Sequence, residues 1–136
     1  MDQPSISQNR LWTSRVMSGI VILFMLMDSI MKFIQPDEVV ESTLALGFSD
    51  HHVFTIGVMG FLCTLLYIYP KTSILGALLL TGYWGGAMAV HFRMDNPLFT
   101  HVLFPAYLAI LAWGGLWLRR KCLRELIPVY RGNERT

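Results

Sequence analysis

Six side chains able to carry charge or move a proton (Asp28, Lys32, His91, Arg93, Asp95 and His101) stand near the ends of otherwise apolar stretches. Ionisable groups are costly inside a bilayer and are read there as functional by default. Asp28 and Lys32 are four residues apart, so a helix puts them on one face with acid before base, the favourable order. Lys32 also falls where a helix C-terminus favours a cation. His91 and Arg93 precede a short turn and His101 follows it, which brings two imidazoles and a guanidinium to one depth. Asp28, Lys32, His91, Arg93 and His101 therefore form the candidate ligand-binding site, with no catalytic residue assigned. All but His91 also have a structural reading. Lys32 can snorkel with Asp28 neutralising it, Arg93 and Asp95 can make an interfacial turn, and His101 can bond a carbonyl. No metal site is expected, because His51, His52, His91 and His101 lack a ligating spacing. Haem fits no better: His91 and His101 would lie side by side rather than facing across a bundle.

The elements that must position these groups are four apolar stretches, residues 16–34, 53–69, 72–91 and 98–118. Each has the length of about 20 residues that a helix needs to cross a bilayer. The chain is 54% hydrophobic and 15% charged, with a mean hydropathy of +0.48. A soluble domain of this size exposes too much surface to be so apolar. The expected fold is all-α, an integral membrane four-helix bundle forming one domain over residues 1–136. Residues 1–15 read as a polar tail with no signal peptide and no processing. In the 35–52 connection, Pro36 suits a first helical position and Gly47 a left-handed terminator. Val40, Thr43 and Leu44 add a modest apolar stripe, so a short surface helix is expected there. Ser49 suits the cap of the next helix.

The link at Pro70-Lys71 is short enough to force the second and third spans into an antiparallel pair. Gly82 and Gly86 make a GxxxG step, which predicts a helix–helix contact and a homo-oligomer. Pro105, inside the fourth span, predicts a kink that leaves the His101 carbonyl unpaired. Cys63 and Cys122 should differ in depth by roughly 15 Å on helical rise, too far for a disulfide.

All of the 11 lysines and arginines except Lys32 and Arg93 fall on one side of this threading. The positive-inside rule then puts both termini in the cytoplasm, with residues 119–136 as a basic cytoplasmic tail. Trp12, Tyr67, Tyr69, Trp113 and Trp117 are expected to form an aromatic belt at the same face. The lipid bilayer accounts for the basic tail, so nucleic acid is excluded as a partner.

The runs ILFMLMDSIMKF, GVMGFLCTLLYIYPKTSILGALLLTGYWGGAMAVHFR and DNPLFTHVLFPAYLAILAWGGLWLR resemble the DoxX-like family of small four-helix membrane proteins. The resemblance covers residues 15–126 and is most specific at Lys32, Pro70, residues 80–86 and HFRMDNPLFTHVLFP. The family is named after a subunit of an archaeal complex that passes electrons from sulfur compounds to quinone. The resemblance thus implies a redox setting in a prokaryotic inner (cytoplasmic) membrane. Many relatives carry a glutamate where this chain has Gly60, which weakens a proton-transfer role. The leading expectation is a membrane component of a redox system that binds a quinone-like or other small amphipathic ligand at the outer end of the bundle. It has no tightly bound cofactor, a membrane redox partner and no enzyme activity of its own. The alternatives are a helper subunit for another membrane protein and a small oligomeric transporter.

Overall fold

A computed structural model describes residues 6–127 of the 136-residue chain. Helix α1 spans Gln8–Ile34, α2 Asp37–Ala45, α3 Asp50–Ile68 and α4 Ser73–Arg93. A π-helical turn follows at Leu98–Val102, then α5 at Phe104–Arg119 and α6 at Lys121–Leu126. Four of these segments are long and apolar enough to span a membrane: Gln8–Ile34, Asp50–Ile68, Ser73–Arg93 and Leu98–Arg119. The membrane bundle and its short accessory helix α2 therefore agree with expectation.

The boundaries follow from local chemistry. The Ser7 hydroxyl accepts from the Arg10 N–H at 3.4 Å and starts α1 a full two turns before residue 16. Residues 8–15 are thus helical rather than a tail; residues 1–5 lie outside the described region. Gln35 ends α1 in the left-handed region (φ 55°) and returns its N–H to the Met31 carbonyl. Pro36 is the cap of α2 rather than its first residue, and Gly47 takes φ 88° just beyond the helix end. In α2, Thr43 is buried, Val40 is half-buried and Leu44 stays exposed. α3 stops where Tyr69 turns extended, as a residue before proline must.

The spans pack as a ring in the order α1, α3, α4, α5, with α5 closing on α1. α1 and α4 face each other diagonally, with no Cα of one within 8 Å of the other. The core follows helical spacing: Val21 and Met25, then Ala77, Leu80 and Trp84, then Leu108, Ala112 and Leu116. Trp84 spans the diagonal and donates from Nε1 to the Met25 sulfur at 3.4 Å. Outside this core the bundle is clothed in apolar side chains, with Leu23, Leu78 and Ile110 well exposed. Such a surface belongs in lipid rather than water.

Glycine sets the closest approaches, though at other positions than expected. A Cβ at Gly76 would overlap the Tyr67 backbone, so α3 and α4 touch main chain to main chain. At Gly115 a Cβ would lie 2.5 Å from Ser18 Oγ, which locks α5 onto α1. Gly82 and Gly86 make no contact inside the bundle: nothing lies within 4 Å of a Cβ built at either.

The fourth span also departs from expectation. Pro105 occupies the first turn of α5, where its missing N–H costs little, so it begins a helix instead of kinking one. The break falls at Leu103, whose N–H reaches back five residues to the Leu98 carbonyl at 2.9 Å. Tyr67 leaves the aromatic belt, being buried at 1% exposure, whereas Trp12 and Tyr69 are exposed as a belt requires. Cys63, half-buried in α3, and exposed Cys122 in α6 are both free. Of the basic tail, residues 128–136 lie outside the described region.

Candidate functional site

Lys32 Nζ sits 2.5 Å from Asp28 Oδ1, with 14% of the lysine side chain and 29% of the aspartate exposed. One helical turn aligns the two, and Gly57 of α3 makes room beside them. A Cβ at Gly57 would stand 2.8 Å from Lys32 Cβ. The lysine stem therefore lies in the α1–α3 seam while its charge is met by its own helix.

His91, in the last turn of α4, and His101, in the π turn, bring their rings to 5.9 Å between centroids at 60°. Asn96 donates from Nδ2 to His91 Nδ1 at 2.8 Å, which leaves the His91 proton on Nε2. Thr100 Oγ1 holds His101 Nδ1 at the same distance. Both rings are thus fixed through Nδ1, with Nε2 left to outside partners among the described residues. His91 is half-buried and His101 exposed.

Among the described residues no hydrogen bond or ion pair joins the five candidate residues into one network. No Cα of α1 lies within 8 Å of one in α4 or the π turn, and neither histidine hydrogen-bonds to Asp28 or Lys32 among the described residues. Arg93 goes elsewhere again: its Nη2 would stand 2.8 Å from a Cβ at Gly47, so the guanidinium covers the turn after α2. Asp95 takes φ 53° in the loop after α4 and makes no ion pair among the described residues. The contacts seen are an ion pair on α1, an imidazole pair between α4 and the π turn, and an arginine over the turn after α2.

The other histidines have local roles. The Ser49 N–H donates to His52 Nδ1 at 3.2 Å at the start of α3, and His51 Nδ1 lies 3.6 Å from Asp50. Among the described residues no group of three or more His, Cys, Asp or Glu side chains is placed to hold a metal ion.

Two polar assemblies were not anticipated from the sequence. Around Gly60, a Cβ would meet the Tyr83 hydroxyl at 3.3 Å and Ser29 Oγ at 3.4 Å. Ser29 Oγ is buried without a hydrogen-bond partner among the described residues. At the opposite end, Ser14 Oγ donates to the Gly115 carbonyl at 2.7 Å, and Ser18 and Tyr67 join hydroxyls at 2.8 Å. The small polar residues Ser14 and Ser18 recur at i, i+4 in α1, a pattern that marks an interior face in a membrane helix.

Four antiparallel spans, a lipid-facing apolar coat and polar groups gathered at the two ends define a small multi-pass helical membrane protein. The family model described as DoxX-like matches residues 16–115. The chain belongs to the DoxX-like family. No curated protein and no solved structure gives a significant match.

Proposed function

We propose that this protein is a membrane component of a redox-associated system, binding a quinone-like or other small amphipathic ligand at the histidine end of the bundle. The observation that supports this reading is the imidazole pair, 5.9 Å apart and tied at Nδ1 by Asn96 and Thr100. A quinone needs one or two donors for its carbonyl oxygens and an apolar slot for its ring. On this reading the Nε2 atoms of His91 and His101 are the candidate donors, and the exposed rings of Phe92 and Phe99 are apolar surface close by in sequence. The Asp28–Lys32 pair acts on this reading as a clasp for α1, not as a ligand contact. Electrons would have to come from a partner, since no side chain here carries them. The bias of lysine and arginine supports a cytoplasmic basic end, so this reading has the histidines at the outer face, in a prokaryotic cytoplasmic membrane.

Native mass spectrometry of the detergent-purified protein tests this. A quinone mass should be retained by the wild type and lost in His91→Ala and His101→Ala at unchanged melting temperature. A wild type that retains no such mass when loaded with ubiquinone or menaquinone would remove the ligand site. A helper or assembly subunit is the second reading, favoured by the outward face of α4, where Gly82, Gly85 and Gly86 meet nothing within 4 Å.

A further inference from the structure

At the end of the bundle away from the histidines, a cavity of about 520 Å³ opens between α1, α3 and the end of α5. Leu11, Gly19, Ile22 and Ile68 give it an apolar wall, and Arg15, Arg119 and Arg120 stand around it. Its polar floor is Ser18 and Tyr67, only 4% and 1% exposed. A directed chain of hydrogen bonds fixes that floor. Arg119 Nη1 donates to Ser18 Oγ at 2.8 Å, Ser18 meets the Tyr67 hydroxyl at 2.8 Å, and Tyr67 donates to the Ala112 carbonyl at 2.9 Å. Arg120 is turned to the Pro70 carbonyl and to Ser73 Oγ.

Among the described residues no carboxylate lies within 4 Å of Arg15, Arg119 or Arg120. Arg119 and Arg120 are half-buried and Arg15 is exposed; cations gathered at an apolar cleft call for an anion, and the guanidinium fork suits phosphate oxygens. Among the described residues Arg119 bonds to protein through Nη1 alone, which leaves its other donors for a ligand. The volume lies within the range of about 300–1,000 Å³ typical of small-molecule sites. The geometry points to a binding site for an anionic amphiphile, with a phosphate-bearing headgroup on Arg15 and Arg119 and an apolar tail along Gly19 and Ile22. This site is separate from the imidazole pair and takes a different class of ligand.

The test uses the full chain in mild detergent, followed by native mass spectrometry with dioleoyl-phosphatidylglycerol, dioleoyl-phosphatidylcholine or inorganic phosphate as the probe. Phosphatidylglycerol should bind in preference to phosphatidylcholine, and excess phosphate should not displace it. Gly19→Leu adds bulk at the cavity wall, where a Cβ would meet nothing within 4 Å, and should abolish this preference. Arg15→Gln, at an exposed residue, should weaken phosphatidylglycerol roughly fivefold. Equal binding of the two lipids overturns the site, as does a folded Gly19→Leu that binds phosphatidylglycerol like the wild type. Displacement by phosphate alone overturns the amphiphile and leaves a simple anion. Should Gly19→Leu fail to fold, unchanged affinity in Arg15→Gln overturns the proposal.

Discussion

At the scale of single residues, the glycines separate contact from mere smallness. Gly76 lets the Tyr67 backbone lie against α4, whereas Gly82 faces outward. Gly76→Ala should lower the unfolding free energy in detergent by about 1–3 kcal/mol, the usual cost of overpacking, because backbone on the far side cannot yield. Gly82→Ala should leave monomer stability unchanged. Equal melting temperatures for both variants would mean that α3 and α4 are spaced more widely than described. The motif alone pointed the other way, since GxxxG reports that a close approach is possible, not which neighbour makes it. Asp28 and Lys32 were legible because their pairing is intrahelical and spacing decides it. The separate partners of Lys32 and the histidines were not, because depth along the chain says nothing of which seam a side chain enters. His101 and Thr100 are sequence neighbours, yet their bond depends on a π turn that no periodicity announces.

At the scale of elements, α4 has two unlike faces. One carries Ala77, Leu80 and Trp84 into the core; the other presents Gly82, Gly85 and Gly86 outward. If the outward face pairs with another membrane helix, Gly82→Leu with Gly86→Leu should shift the protein toward monomer in crosslinking or size-exclusion measurements without lowering its melting temperature. An unchanged assembly state would assign the face to lipid. The existence and order of the spans could be read from apolar runs of bilayer length, and the cap at Gly47 from its need for positive φ. The early start of α1 and the break at Leu103 escaped that reading. The first rests on a Ser7 cap ahead of a polar helical turn, which hydropathy ignores. The second rests on Pro105 opening a helix rather than bending one.

At the scale of the whole molecule, the two ends of the bundle differ in kind. One gathers arginines around buried serine and tyrosine hydroxyls; the other carries the imidazoles and α2. The bias of lysine and arginine toward the first end predicts its orientation. Reporters fused at Met1 and at Thr136 should both read cytoplasm, and one inserted at Gly47 should read the opposite face. Termini on opposite sides would overturn the four-span threading. The backbone contact at Gly76 also bears on how the protein is made. α3 and α4 are joined by only residues 69–72 and meet main chain to main chain beside that link. The pair is thus a closed helical hairpin, of a form that could enter a bilayer as one unit. Closure of the ring around that hairpin then rests on α5, which seats Gly115 on Ser18 of α1.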